Sequence, residues 1–181
     1  MFGFFRKKKK EEAHYDPVSM TVKDLRKGWF FDYKYKTWEA KEEYEYDWGN
    51  NNFSYEFLIL SQDNEKLFLS IEEEDGLNIT VNTKLRFSKL AQADEITNAI
   101  NTLGRPPREL EVNGITFYRE SENPGYFRNI DKEDFEEFIV WEYWDSDEKN
   151  VLNVEQWGEE TFEVAIGVLA AEHAFSNFVP K

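Results

Sequence analysis

From Trp29 onward the chain falls into short runs in which bulky apolar residues alternate with polar ones, the period of two expected of half-buried strands. Trp29, Phe31 and Tyr33 alternate with Phe30 and Asp32, a polar Lys34 to Lys36 turn follows, and Trp38 and Ala40 resume the pattern, which predicts a hairpin. After the polar loop "GNNNFS", the runs "YEFLIL" and "KLFLSIEEE" read as strands joined by "SQDNE", and "DGLNITVNTK" offers a fifth strand. The period then changes. In "ADEITNAINTLG", Ile96 and Ile100 stand four apart with Leu103 beyond, Asp94 is placed to cap the start and Gly104 to stop the end, so one helix is expected near residues 92–103. The prolines of "RPPREL" break it.

The second half repeats the order of the first. "ELEVNGITFYRE" carries an Asn-Gly pair between two alternating runs, the strongest short hairpin signal in the chain. Tyr126 to Arg128 adds a short strand, and "FEEFIVWEYW", "NVLNVEQW" and "TFEVAIGVL" supply three more. Laid against each other, Glu56-Phe57 falls on Glu137-Phe138, Lys66 on Lys149, Leu69 on Leu152 and Ile71-Glu72 on Val154-Glu155, with Trp38 opposite Phe117. The period of roughly 80 residues points to an internal duplication of a meander unit. The expected fold is therefore all-β with one helix: two fused antiparallel meander halves forming a sandwich or a barrel-like body. The divisions are a tail over 1–17, a first half over 18–90, a helix and proline connector over 91–107, and a second half over 108–181.

Composition changes the picture in two ways. Aromatic residues make up 17% of the chain, enough large rings to supply burial that short strands otherwise lack. There is no cysteine, which excludes a disulfide framework, a thiolate nucleophile and a cysteine zinc site. Charge is uneven: the formal net is −15, yet Arg6 and Lys7 to Lys10 are all cationic, so everything after residue 10 sums to −20. A body this acidic disfavours nucleic acid, whose binding draws on neutralised phosphates, and suits cationic partners such as basic protein surfaces, polyamines or divalent metals.

Strand alternation places Phe138, Val140, Glu142 and Trp144 on one face and Ile139, Trp141 and Tyr143 on the other, so both faces are largely apolar. Such a strand is either buried between two layers or lines a groove, and Trp141, Tyr143 and Trp157 are the candidate groove residues. Catalytic constellations are scarce. The two histidines, His14 and His173, give a histidine triad or metal site almost nothing to build on, and no glycine-rich phosphate cradle occurs. Carboxylates are plentiful, but "DSDEKN" fails as a calcium loop because Lys149 stands at a ligand position and Asn150 where glycine belongs. It reads as a solvated acidic turn. Glu72 and Glu155 end the matching strands of the duplication, where a polyamine or basic side chain can bridge them or each can pair with a cross-strand cation.

"LRKGWFFDYKYKTWEAKEE", "YEFLILSQDNEKLFLSIEEEDG" and "VLNVEQWGEETFEVAIG" resemble, in order and spacing, a bacterial family known as domain of unknown function 4178, over roughly residues 20–170. The most specific piece is the close, Leu152, Glu155, Trp157-Gly158, Phe162-Glu163-Val164 and Gly167. The resemblance implies an all-β fold with no assigned reaction, in a family often fused to or encoded beside membrane-associated stress and polyamine-related genes. It carries over no catalytic residues and no cofactor.

The expected function is a non-enzymatic bacterial cytosolic interaction module, linked to membrane stress, acting on a protein partner or a cationic ligand. The alternative is a polyamine or small-cation binding protein, and the third option a carboxylate-based enzyme. No metal site and no cofactor are expected. No stretch approaches the roughly 18 apolar residues of a spanning helix. "MFGFFRKKKK" is not a secretory signal, since its charges follow its apolar residues. Phe2, Phe4, Phe5, Arg6, Lys7, Lys8, Lys9 and Lys10 instead suit reversible contact with an anionic leaflet, which places the chain in the cytoplasm with peripheral contact at the inner membrane face.

Overall fold

The computed structural model describes residues 20–73 and 76–181. Phe2, Phe4, Phe5 and Arg6 to Lys10, the residues expected to contact a membrane, lie outside the described residues, as do His14, Glu74 and Asp75. Of the described residues, 58% are in strands. The first half contains β1 (Phe30–Tyr33), β2 (Lys36–Asp47), β3 (Phe53–Ser61), β4 (Lys66–Glu73) and β5 (Leu77–Leu85), and is followed by the helix α1 (Ala93–Leu103). The second contains β6 (Glu109–Val112), β7 (Ile115–Asn129), β8 (Glu136–Asp145), β9 (Asn150–Trp157) and β10 (Thr161–Leu169), with β11 (Phe175–Val179) closing the chain.

All eleven strands form one antiparallel sheet, in the order β11-β1-β2-β3-β4-β5-β10-β9-β8-β7-β6. A further pairing of β2 with β7 closes eight of them, β2-β3-β4-β5-β10-β9-β8-β7, into a barrel. The halves are joined through equivalent strands, fifth to fifth (β5 with β10) and second to second (β2 with β7). Each second strand carries one bulge, between Ala40 and Glu42 in β2 and between Arg119 and Ser121 in β7. The extra residue reverses which side chains face inward. Trp38 and Ala40 thus pack outside the wall while Tyr46 packs within it, and Phe117 lies outside while Ser121 and Asn123 line the interior.

Two apolar layers cover the outside. Over the first half, Val22, Leu25, β1 and β11 bury Trp38, Phe57, Ile59 and Leu69. Over the second, Ile96 and Ile100 of α1, with Leu110, Val112 and Phe117, bury Trp141, Tyr143, Leu152 and Val154. A third cluster, Tyr46, Phe138 and Val140 with Tyr44, Trp48, Phe127 and Trp157 packed on them, lies inside the barrel.

Three details differ from the sequence reading. Asp94 is not the cap of α1. Gln92 precedes the helix and its side-chain oxygen accepts a bond from the Glu111 backbone N–H at 2.7 Å, while Asp94 lies in the first turn near the positive end of the helix dipole. Tyr126 to Arg128 is not a separate strand but the end of β7, which runs on through Pro124. Between its β6 and β2 pairings β7 is bonded on one side only, by β8, so a proline without an N–H fits there. β11 was not anticipated: it is five residues long and Asn177 interrupts it at φ 55°.

Candidate functional site

Alternation makes the barrel interior. Each wall strand sends every second side chain inward, and on most of them at least one is polar: Ser54 and Glu56 on β3, Ser70 on β4, Thr80 and Asn82 on β5, Asn153 and Glu155 on β9, Glu142 on β8. All of these but Asn82 line a cavity of about 570 Å³, within the range of small-ligand sites. Its mouth is framed by Trp48 and Asn52 after β2, by Glu72 and Asn78 at the ends of β4 and β5, and by Ser121, Asn123 and Pro124 of β7.

The carboxylates set its electrostatics. Glu56 is buried, accepting bonds from the Tyr46 hydroxyl at 3.3 Å and the Ser70 hydroxyl at 3.1 Å. Burial raises its pKa, and Lys84 opposes the rise. Glu155 accepts a bond from the indole N–H of Trp157 at 3.2 Å. Burial, with the neighbouring Glu56 carboxylate adding to it, pushes Glu155 up to about 7. Glu142 takes the indole N–H of Trp144 at 2.7 Å and is also raised by burial. The cation that acts on Glu56 and Glu155 is Lys84, bonded to Glu163 at 2.5 Å and lying over the Phe68 ring. Burial pulls the Lys84 ammonium down, but Glu163, Glu56 and Glu155 outweigh it, so its net shift is upward.

Two further groups shape the wall. Asn82 donates to the Ser70 and Thr80 hydroxyls at 3.0 Å each, and its Oδ1 meets Gly167 of β10, the only residue type without a Cβ to overlap it. Asn153, which lines the cavity, has a buried Oδ1 with no hydrogen-bond partner. An orphaned buried acceptor marks a place where a donor is missing.

The sequence candidates are distributed unevenly around this site. Glu155 lies in the interior and Glu72 at the mouth, so the cavity contains both. Trp157 is half-buried within the barrel, stacked on Phe138 at 4.8 Å and edge-on to Phe127 at 5.1 Å. Trp141 and Tyr143 face the opposite way, 1% and 0% exposed under α1, bonded to Glu122 and to the Pro107 carbonyl. The three aromatics therefore share no groove. Glu56, Glu142, Asn82 and Asn153 did not stand out as site residues in the sequence, although each is a polar residue set at an alternate position within an apolar run.

Residues 26–169 match the family described as Domain of unknown function (DUF4178), most of the chain. The chain belongs to that family. No curated protein and no solved structure matches it. The match spans both halves of this DUF4178 barrel and so includes every interior carboxylate named above.

Proposed function

We propose that this DUF4178 protein is a non-enzymatic binding protein for small organic cations, and that the ligand's ammonium group sits among Glu56, Glu155 and Asn153. The observation that carries this reading is an excess of buried acid: Glu56 and Glu155 sit together in a walled cavity, and Lys84, the cation that offsets them both, is already bonded to Glu163. Buried carboxylates without a full complement of cations are held partly protonated at a cost in free energy, and a bound ammonium relieves that cost by letting them ionise. An ammonium also supplies the donor that the Asn153 oxygen lacks. Among the described residues, no three acids or histidines converge as a metal ion requires, whereas an amine takes its bonds one at a time along a wall. Phe138, Val140 and Val151 give apolar surface for the ligand's carbon chain.

Isothermal titration with spermidine tests this. Binding should strengthen as pH rises through about 7, where Glu155 ionises. Glu155→Gln and Glu56→Gln should each weaken it roughly 10- to 100-fold, the loss of one charge-assisted hydrogen bond. Saturable binding indifferent to both substitutions would place the ligand elsewhere.

A further inference from the structure

A second cavity, of about 480 Å³, adjoins the first on the outside of the mouth. Asn78 lines both. Tyr118 and Trp144, cross-strand neighbours on β7 and β8, form its aromatic side, and Glu120 and Glu148 supply carboxylates. Trp144 ties the two cavities together, since its ring walls the outer one while its indole N–H is bonded to Glu142 in the inner one at 2.7 Å. Asp145 is already engaged, accepting the Lys149 and Asn150 amides and the Asn150 side chain, and so holds the turn that presents Glu148. Among the described residues lining either cavity there is no lysine, arginine or histidine.

We propose that the outer cavity is a second cation station of the same channel, and that the protein selects a linear aliphatic polyamine, with one ammonium inside the barrel and another against Tyr118, Trp144, Glu120 and Glu148. This rests on the reading of the interior as an amine site and extends it from any amine to a class defined by at least two charges. The chemistry of the outer station is that of cation recognition: an ammonium is attracted to indole and phenol faces and to flanking carboxylates, and at a partly wetted site no single contact holds it alone. The stretch between the stations contains Val140, Val151 and Pro124 alongside Ser121 and Asn123, which suits methylene segments punctuated by secondary amines. A monoamine engages only one station. A polyamine gains the second as an intramolecular step, without a new association cost.

The test is isothermal titration of the full chain with two probes, spermidine and butylamine, against the unaltered protein, Tyr118→Leu and the exposed pair Glu120→Gln with Glu148→Gln. Spermidine should bind at least about 10-fold tighter than butylamine. Tyr118→Leu and the double glutamine variant should each weaken spermidine roughly 3- to 10-fold and leave butylamine unchanged, since none of these residues lines the inner cavity. Spermidine binding no tighter than butylamine, or weakened no more than butylamine by these variants, overturns the second station while leaving the amine site in place. If neither probe binds the unaltered protein, the amine site itself is refuted and the second station with it.

Discussion

Gly167 shows how closely the interior is fitted. A Cβ at this position would overlap Oδ1 of Asn82 and stand 3.0 Å from the Val81 carbonyl oxygen, because β10 and β5 pair here residue against residue. The glycine allows Asn82 to lie across the strand seam and keep its amide on Ser70 and Thr80, and Ser70 in turn donates to Glu56. The position of a buried carboxylate thus depends on a missing methyl group three contacts away. Gly167→Ala should lower stability to denaturant by about 2 kcal/mol through overpacking. Adding Asn82→Ala should recover much of that loss, so that the double variant is more stable than the two single losses predict. Strict additivity would show that the two residues do not press on each other.

At the scale of elements, the two hairpins that open the halves make a natural comparison. The β6–β7 turn is Asn113-Gly114, with φ of 54° and 76°. Its counterpart between β1 and β2 is Lys34-Tyr35, with φ of 48° and 61°, and Tyr35 is fully exposed. Both are two-residue turns of the mirror-image type, but a lysine and a tyrosine adopt left-handed backbone at a cost that asparagine and glycine avoid. Replacing Lys34-Tyr35 by Asn-Gly should therefore stabilise the protein by about 1 kcal/mol, read as a rise in denaturation midpoint. No change, or a loss, would mean that the tyrosine contributes something in the folded state beyond its exposed position.

These elements also show what the sequence discloses. The hairpins, the five strands of the first half and the helix were legible because each is local: Asn-Gly specifies a turn, alternation specifies a strand, and Ile96 with Ile100 specifies a helix face. Ring closure was not, since pairing β2 with β7 joins residues some 80 positions apart and depends on two bulges that no local signal announces. The bulges explain the candidate site as well. Alternation correctly separates Trp141 from Glu142, but which face becomes the interior is decided only when the sheet closes. Trp141 and Tyr143 consequently fall beneath the helix, and Glu142 and Glu155 within the barrel. Glu56 illustrates the signal that was available: a lone acid in "YEFLIL" is unusual inside an apolar strand and marks an inward polar position.

For the molecule as a whole, the two meander halves build an outer shell of apolar layers and an inner wall that is acidic and incompletely partnered. The fold is stabilised mainly on the outside, by the layers over each half, which leaves the interior free to be polar. The acid charge of the chain thus has a specific location as well as a general effect on its surroundings. The most direct test of cation binding in that interior is carbon-detected NMR of the Glu155 side-chain carboxyl, titrated with and without saturating spermidine. In the free protein its midpoint should lie at about 7, and the bound ammonium, an opposite charge at close range, should lower it by at least about one unit. A midpoint that stays in place while spermidine binds would contradict the barrel interior as the site.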